Sequence, residues 1–363
     1  MAVVMPFSTC FEIAGWQISA GSEYDGHRPY IIAELSGNHG QDLNRAIAMI
    51  QQAAAAGVDA VKLQTYTADT LTLNSEGADF QINESDNLWQ GDTLHSLYQK
   101  AATPWVWHPT LFDCAREAGV TLFSSPFDES GVAFLEQFAP PCYKIASFEL
   151  NHAPLLRAVA QTGRPVILST GMATLAEIKQ ALQRLHENGC RELALLKCTS
   201  AYPAPECDAN LRTMADMASR FNLPVGLSDH SRGLEVAKLA IAMGAAVIER
   251  HLVLDDELES VDKPFSSTPE QFSELVDYAA RVASIGGKIH YGPADSEQNS
   301  LRYRRSIYCA ASIAAGEPFT TNNLKVVRPA HGLDPVHWDT LLRRRARRAI
   351  AAGTAIDWDM VAE

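Results

Sequence analysis

Eight short apolar runs, at residues 30–35, 60–66, 121–125, 142–147, 165–170, 192–198, 224–229 and 246–252, alternate with amphipathic stretches rich in Ala and Leu. Each run ends in polar residues, as a buried parallel strand does when it opens onto a functional face. Strand–helix alternation repeated eight times predicts a closed parallel (β/α)8 TIM barrel, with its chemistry at the C-terminal strand ends. Those ends read Glu34-Leu-Ser-Gly-Asn-His39, Lys62-Leu-Gln-Thr65, Ser124-Ser-Pro-Phe-Asp128, Lys144-Ile-Ala-Ser147, Ser169-Thr-Gly-Met172, Lys197-Cys-Thr-Ser200, Ser228-Asp-His230 and Glu249-Arg-His251. Together they read as the rim of an active site.

The rest of the chain frames this barrel. Residues 1–28 precede the first barrel strand, and Phe11-Glu-Ile13 and Trp16-Gln-Ile-Ser19 around Ala14-Gly15 predict a small hairpin extension at the barrel's bottom. Residues 67–109 form an expanded loop, polar early and aromatic later (Trp89, Trp105, Trp107), of the kind that shapes specificity at a barrel mouth. Helices are predicted at 109–118, 233–243 and 269–285. The turn-rich stretch at 287–303 marks a boundary, giving a barrel at 29–288, a linker at 289–304 and a module at 305–363. Short β-like pieces at 306–311, 324–328 and 355–358 make that module mostly β.

Composition narrows the function. Of 363 residues, 47% are hydrophobic and 20% charged, ordinary for an enzyme with a large core. The net charge of −13 argues against nucleic acid or an anionic membrane as partner, so an anionic substrate needs a local basic cluster. No apolar run approaches the roughly 20 residues of a membrane span, and the first residues lack the pattern of a signal peptide. Seven scattered cysteines, never in a CxxC pair, suggest reduced thiols and a cytoplasmic setting. Cys198 as a nucleophile lacks a supporting His nearby in sequence. The arginines at 343–348 read as a solvated helix face.

Two groups of residues carry chemistry. His230 and His251 end the seventh and eighth strands, which lie side by side about 4.8 Å apart, so two imidazoles can converge on one ion with open coordination positions. The alternative is that both bond to neighbouring loops, as His39, His152 and His331 are expected to do. Lys62, Lys144 and Lys197 come from alternate strands; a lysine in a barrel strand is costly to bury without a partner. Lys62 and Lys144, with Ser125, Ser147, Ser169 and Ser228, therefore suggest a cradle for a phosphate or carboxylate. Internal pairing of the lysines with Glu34 and Glu149 remains open, as does a Schiff-base aldolase built on Lys197.

These stretches resemble the sialic acid synthase family, which condenses phosphoenolpyruvate with an amino-sugar aldehyde. The resemblance rests on Ile32-Ala-Glu-Leu-Ser-Gly-Asn-His-Gly40, Val61-Lys-Leu-Gln64, Phe123-Ser-Ser-Pro-Phe127 and Tyr143-Lys-Ile-Ala-Ser-Phe-Glu149. It continues through Leu168-Ser-Thr-Gly-Met172, Cys198-Thr-Ser-Ala-Tyr-Pro-Ala-Pro205, Gly226-Leu-Ser-Asp-His230 and Ile248-Glu-Arg-His251. The tail, with Arg305-Ser-Ile-Tyr308, Gly316-Glu-Pro-Phe-Thr320 and Val327-Arg-Pro-Ala-His-Gly332, resembles the antifreeze-like (SAF, β-clip) domain of these enzymes. Asp262-Lys-Pro-Phe-Ser-Ser-Thr-Pro269 is similar to the pseudaminic acid branch, although Lys263 stands where that branch usually has Ser, and Ala330 where a Gly usually follows Arg-Pro. Neuraminate and legionaminate synthases are the alternatives within the family.

The resemblance implies a metal-dependent transferase acting on phosphoenolpyruvate and a 2,4-diacetamido-2,4,6-trideoxyhexose. It implies a divalent ion, Mn or Mg, on His230 and His251. Phosphoenolpyruvate would be bound by Lys62, Ser125, Lys144, Ser147, Ser169 and Ser228, with Glu34 and Asp262 catalytic. Gln64, Tyr202 and Arg328 would bind the sugar, Arg328 from the partner in a domain-swapped homodimer.

Overall fold

A computed structural model describes residues 7–20, 28–83, 90–254, 260 and 262–362; Trp89 and the first six residues lie outside these. Strands β1 (Cys10–Ile13) and β2 (Trp16–Ser19) pair as an antiparallel hairpin. The eight apolar runs form β3 (Tyr30–Glu34), β4 (Ala60–Thr65), β5 (Thr121–Pro126), β6 (Tyr143–Ile145), β7 (Val166–Ser169), β8 (Leu193–Cys198), β9 (Val225–Asp229) and β10 (Val247–His251). They close in chain order into a parallel barrel, β10 pairing with β3.

Helices cover the outside: α1 (Leu43–Ala55) after β3, then, beyond α2 (Ala68–Leu71) and α3 (Leu94–Ala101), which border the mouth, α4 (His108–Ala118) after β4, α5 (Glu129–Leu135), α6 (Ala153–Gln161), α7 (Leu175–Glu187), α8 (Arg212–Phe221), α9 (Glu235–Ala242) and α10 (Pro269–Gly286). Local chemistry starts them. Thr174 and Glu177 make reciprocal cap bonds at α7, and Thr268 and Gln271 do so at α10, where Pro269 fills the first helical position.

Side chains alternate along each strand, and here the two faces do different work. Residues facing out, among them Ile31, Ala33, Val61, Leu63, Leu193, Leu195 and Ile248, pack against the helices in the main core. The inward set is layered. Its lower layer is apolar: Tyr30, Ile32, Ala60, Phe123, Cys142, Ile167, Ala194, Leu196 and Val247. Phe11, Ile13 and Ile18 of the hairpin belong to the same cluster, so β1 and β2 stop the barrel's N-terminal end with apolar surface. Two residues further along each strand the inward position becomes polar. Gly226 is the one gap in the lower layer; a Cβ there would stand 2.1 Å from the Val247 carbonyl oxygen.

The chain divides after Lys288 into two compact units. The second holds its own core around Ile307, Cys309, Phe319, Leu324, Leu341 and Ile356. Its strands β11 (Ser306–Cys309) and β12 (Leu324–Val327) are antiparallel, and single bridges such as Tyr308–Ala355 and Ile313–Ile350 join the rest. The expected linker is partly ordered as a 3-10 helix, Asp295–Tyr303. The arginines at 343–348 are exposed but do not form a helix face: α11 (Trp338–Leu341) ends before them, and Arg345 and Ala346 make strand-like bridges instead.

Candidate active site at the barrel mouth

Register lines up the chemistry. Arg250 pairs with Asp229, so the next residues, His251 and His230, face each other across β10 and β9. His251 is level with Glu34 on β3, and Glu34 with Lys62 on β4. Four consecutive strands thus present His230, His251, Glu34 and Lys62 in one row. They open into a cavity of about 550 Å³, within the range of small-molecule sites. Twelve of the thirteen site residues expected from the sequence line this cavity: Glu34, Lys62, Gln64, Ser125, Lys144, Ser147, Ser169, Tyr202, Ser228, His230, His251 and Asp262. Arg328 belongs to the second unit.

At the floor, Lys62 Nζ is 2.9 Å from Glu34 Oε2 and 3.2 Å from Glu249 Oε1, and it donates to Ser125 Oγ at 3.3 Å. Lys144 Nζ donates to Ser169 Oγ at 2.7 Å and stands 3.6 Å from Glu249. Glu249 Oε1 also accepts from Ser228 Oγ at 3.2 Å, while its Oε2 is buried without a partner. The lysines pair internally, with Glu34 as expected but with Glu249 rather than Glu149, and they face the cavity beside hydroxyls. Burial alone would raise the Glu34 carboxyl, but Lys62, His251 and the Gln64 hydrogen bond at 2.6 Å outweigh it and hold Glu34 well below the usual carboxylate range. Lys62 is raised despite burial by its two carboxylates. Lys144 is lowered, by burial first and by the neighbouring Lys62 charge.

On the histidine side, the two rings are 5.3 Å apart between centroids. His230 Nδ1 donates to the Thr199 carbonyl at 3.0 Å, which leaves its Nε2 lone pair free. His251 Nε2 is 3.4 Å from Glu34 Oε2 and its Nδ1 3.4 Å from Asp262 Oδ2, the latter too poorly aligned to count as a hydrogen bond. Asp262 is fixed by Asn38, whose Oδ1 accepts from the Asp262 amide at 3.2 Å and from Ser260 at 2.7 Å, and by a bond from Ser36 to its Oδ2. Among the described residues no group of three or more His, Cys, Asp or Glu is gathered as a ready ligand set. Two imidazoles flanked by carboxylates, with the His251 Nδ1 unbonded, still suit a divalent cation that takes its other ligands from substrate and water. Tyr202 packs on His230 with centroids 4.6 Å apart.

Several further residues line the cavity. Glu249, seen in the sequence only as a neighbour of the histidines, and Cys198, weighed there only as a nucleophile, both face inward: each lies two positions from an inward residue, His251 and Leu196. Burial raises the Cys198 thiol, but the His230 hydrogen bond outweighs it and brings the group to about 7, so a histidine does support this cysteine in space. Glu149, one Oε2 buried without a partner, is pushed up to about 7 by burial. Leu71, Ile82, Leu94, Leu97 and Tyr98 come from the 67–109 loop, whose course no periodicity announces. Conversely, Lys197 shares its face with Leu193 and Leu195, points out of the barrel, and bonds the Cys198 carbonyl and Thr199 Oγ1; it is not in the cavity, which removes it from the cradle and as an imine-forming base. His39 bonds the Gln41 amide and contacts Thr103, away from the cavity.

Comparison with known proteins agrees with this geometry. The NeuB family matches residues 49–291 and the SAF domain residues 304–362. A pseudaminic acid synthase of Campylobacter jejuni is 42% identical over 90% of this chain and 95% of its own. One of Helicobacter pylori is 38% identical over 91% and 97%. The crystal structure of an N-acetylneuraminic acid synthetase from Leptospira borgpetersenii, in complex with citrate, superposes with a TM-score of 0.71 at 31% identity, covering 82% of this chain and 97% of that one. On these matches and its two-unit architecture, the chain belongs to the NeuB family.

Proposed function

We propose that the chain is a pseudaminic acid synthase, a transferase joining phosphoenolpyruvate to an open-chain 2,4-diacetamido-2,4,6-trideoxyhexose. The observation that carries the reading is the row His230–His251–Glu34–Lys62, with Lys144 beside it: cations for an anionic substrate lie next to imidazoles suited to a carbonyl-polarising ion. The 42% identity to a pseudaminic acid synthase selects the branch.

Lys62 and Lys144 are assigned to the phosphate and carboxylate of phosphoenolpyruvate, with Ser125, Ser147, Ser169 and Ser228 donating hydroxyl hydrogen bonds. Ser147 is already oriented, its Oγ accepting from the Gly171 amide at 3.0 Å. His230 and His251 would hold a divalent ion, Mn or Mg, which when bound makes the sugar's aldehyde carbon more electrophilic. The enol carbon bonds to that carbon, the aldehyde oxygen takes a proton, and positive charge forms at the carbon bearing the phosphate. Glu34, ionised at neutral pH, faces that centre; it stabilises the cation and takes a proton from the water that adds there. The carbon–oxygen bond to phosphate then breaks as the added hydroxyl gives its proton to the departing phosphate, leaving hydrogen phosphate and a nine-carbon 2-keto acid. Asp262 orients the sugar beside His251, with Gln64 and Tyr202 lining its path. Arg328, on the second unit, is assigned to the sugar of a partner's barrel in a domain-swapped homodimer.

Phosphate release from phosphoenolpyruvate with a panel of acetamido hexoses tests this. Turnover of 2,4-diacetamido-2,4,6-trideoxyhexoses, with the bridging oxygen label leaving in phosphate, supports it. Preference for N-acetylmannosamine would move the chain to the neuraminate synthases, and label retained in the keto acid would reject the carbon–oxygen cleavage.

A further inference from the structure

Lys197, outside the cavity, is half-buried, and burial disfavours its charge. Among the described residues it forms no ion pair. Its Nζ donates instead to the Cys198 carbonyl at 2.9 Å and to Thr199 Oγ1 at 3.0 Å, in the two residues that follow it. A half-buried ammonium without a carboxylate is costly to keep, and an apolar side chain would suit the helix-facing side better.

Its partner Thr199 leads to the histidines. The Thr199 carbonyl accepts from His230 Nδ1 at 3.0 Å, while Thr199 Oγ1 accepts from Lys197 and donates to the Asp208 carbonyl at 3.0 Å. The bond to Nδ1 fixes which ring nitrogen carries the hydrogen, and so leaves the Nε2 lone pair for a ligand. The loop after β8 returns to the same residue twice more: the Ala204 amide donates to the His230 carbonyl at 2.9 Å, and Tyr202 packs on its ring.

Resting on the metal role assigned to His230 above, we infer that Lys197 is a positioning residue for that histidine. From outside the barrel its ammonium clamps residues 198 and 199, keeps the Thr199 carbonyl aimed at His230 Nδ1, and so holds Nε2 ready for a divalent cation. Lys197 itself touches neither substrate nor cation. Its charge repels a cation while its hydrogen bonds prepare the ligand, so loss of the side chain sets two effects of opposite sign against each other.

The test is Mn affinity, read by electron paramagnetic resonance of the free ion with the full-length protein and no substrate. Lys197→Met keeps the stem and removes the donor; Mn should bind it about tenfold more weakly, the lower end of what a lost supporting hydrogen bond costs a metal site. Loss of the positive charge alone predicts tighter binding, so the sign separates the two effects. Thr199→Val keeps the carbonyl, removes Oγ1 and should also weaken Mn binding. The double variant should lose no more than the larger single loss, because both act through one contact. Affinity for phosphoenolpyruvate without metal should stay near the native value; an equal loss there would mark general damage to the barrel and overturn the positioning role. Unchanged or tighter Mn binding by folded Lys197→Met would overturn it too, while leaving the metal role of His230 intact. A native protein that binds no Mn would overturn both. Should Lys197→Met not fold, Thr199→Val decides by the same measure.

Discussion

The Lys62 ammonium and the Glu34 carboxylate stand 2.9 Å apart, level with one another on adjacent strands, with both side chains almost fully buried. Burying such a pair costs desolvation that its attraction offsets only in part, so stability alone is a weak reason to hold it there. Its effect on Glu34 is clearer: it keeps that carboxyl ionised despite its burial. Glu34→Gln preserves shape and removes the charge. We expect kcat to fall about 100- to 10,000-fold, the range for a lost proton-transfer group, with the KM for phosphoenolpyruvate changed only modestly. Steady-state phosphate release checks this; a change confined to KM would rule out the catalytic role.

Lys144 loses its proton at a lower pH than an ordinary lysine, because burial and Lys62 both disfavour its charge. An anion bound there needs the charged form. The KM for phosphoenolpyruvate should therefore rise on the alkaline side, beginning below the usual lysine range. In Lys144→Met that rise should vanish and the KM be high at every pH. A pH profile of KM with the sugar saturating makes the comparison.

Glu149 has its pKa raised by burial to about 7, against a usual value of 4.5. A group raised in the folded state stabilises fully below its unfolded pKa, and that contribution is lost as pH climbs through the folded one. Between roughly pH 4.5 and 7 the contribution of Glu149 should therefore fall, by up to about 3 kcal/mol at the conversion of 1.36 kcal/mol per unit, against the opposite trend from the buried His39 and His108, each lowered to about 4. Glu149→Gln should remove that fall and melt higher than the native protein at pH 8. Parallel melting curves of the two proteins across pH would disprove it.

Removing metal should stop turnover, and adding Mn or Mg should restore it. His251→Ala should show no such recovery, and its affinity for Mn, read by electron paramagnetic resonance, should fall with its activity. Full activity of the native protein in excess EDTA would refute the role given to the two imidazoles.

Behind those imidazoles, Arg250 faces outward, 1% exposed, and forms an ion pair with Asp229 while donating to Ser267 Oγ and the Ser231 carbonyl, both at 2.9 Å. Arg250→Met leaves a buried carboxylate alone and should cost about 3–5 kcal/mol. Adding Asp229→Asn should recover much of that loss. Chemical denaturation of the single and double variants gives the numbers; equal stability of Arg250→Met and the native protein would contradict the pairing.

Much of this was legible in the sequence, because a parallel barrel converts chain order into position. Once the strands are placed, each end residue is near its neighbours', and His230, His251, Glu34 and Lys62 fall together without further information. Lys197 was misread because strand parity was not carried through: its neighbours Leu195 and Leu193 face the helices. Glu249 was read only as a neighbour of the histidines for the same reason, in the opposite direction. The 67–109 loop has no period to read, so the residues it adds to the cavity emerge only from tertiary packing, whereas Glu149, expected beside the lysines, lines the cavity with one carboxylate oxygen unpartnered. The arginines at 343–348 look helical by composition, but the small unit's bridges override that propensity.

The hairpin of β1 and β2 leaves the barrel with a single door. Whatever sits deepest must come in first and go out last, and the second reactant then closes the way behind it. Under the assignment proposed above, a one-ended vessel of this kind would impose sequence on binding, with the three-carbon acid at the lysines ahead of the sugar that covers it.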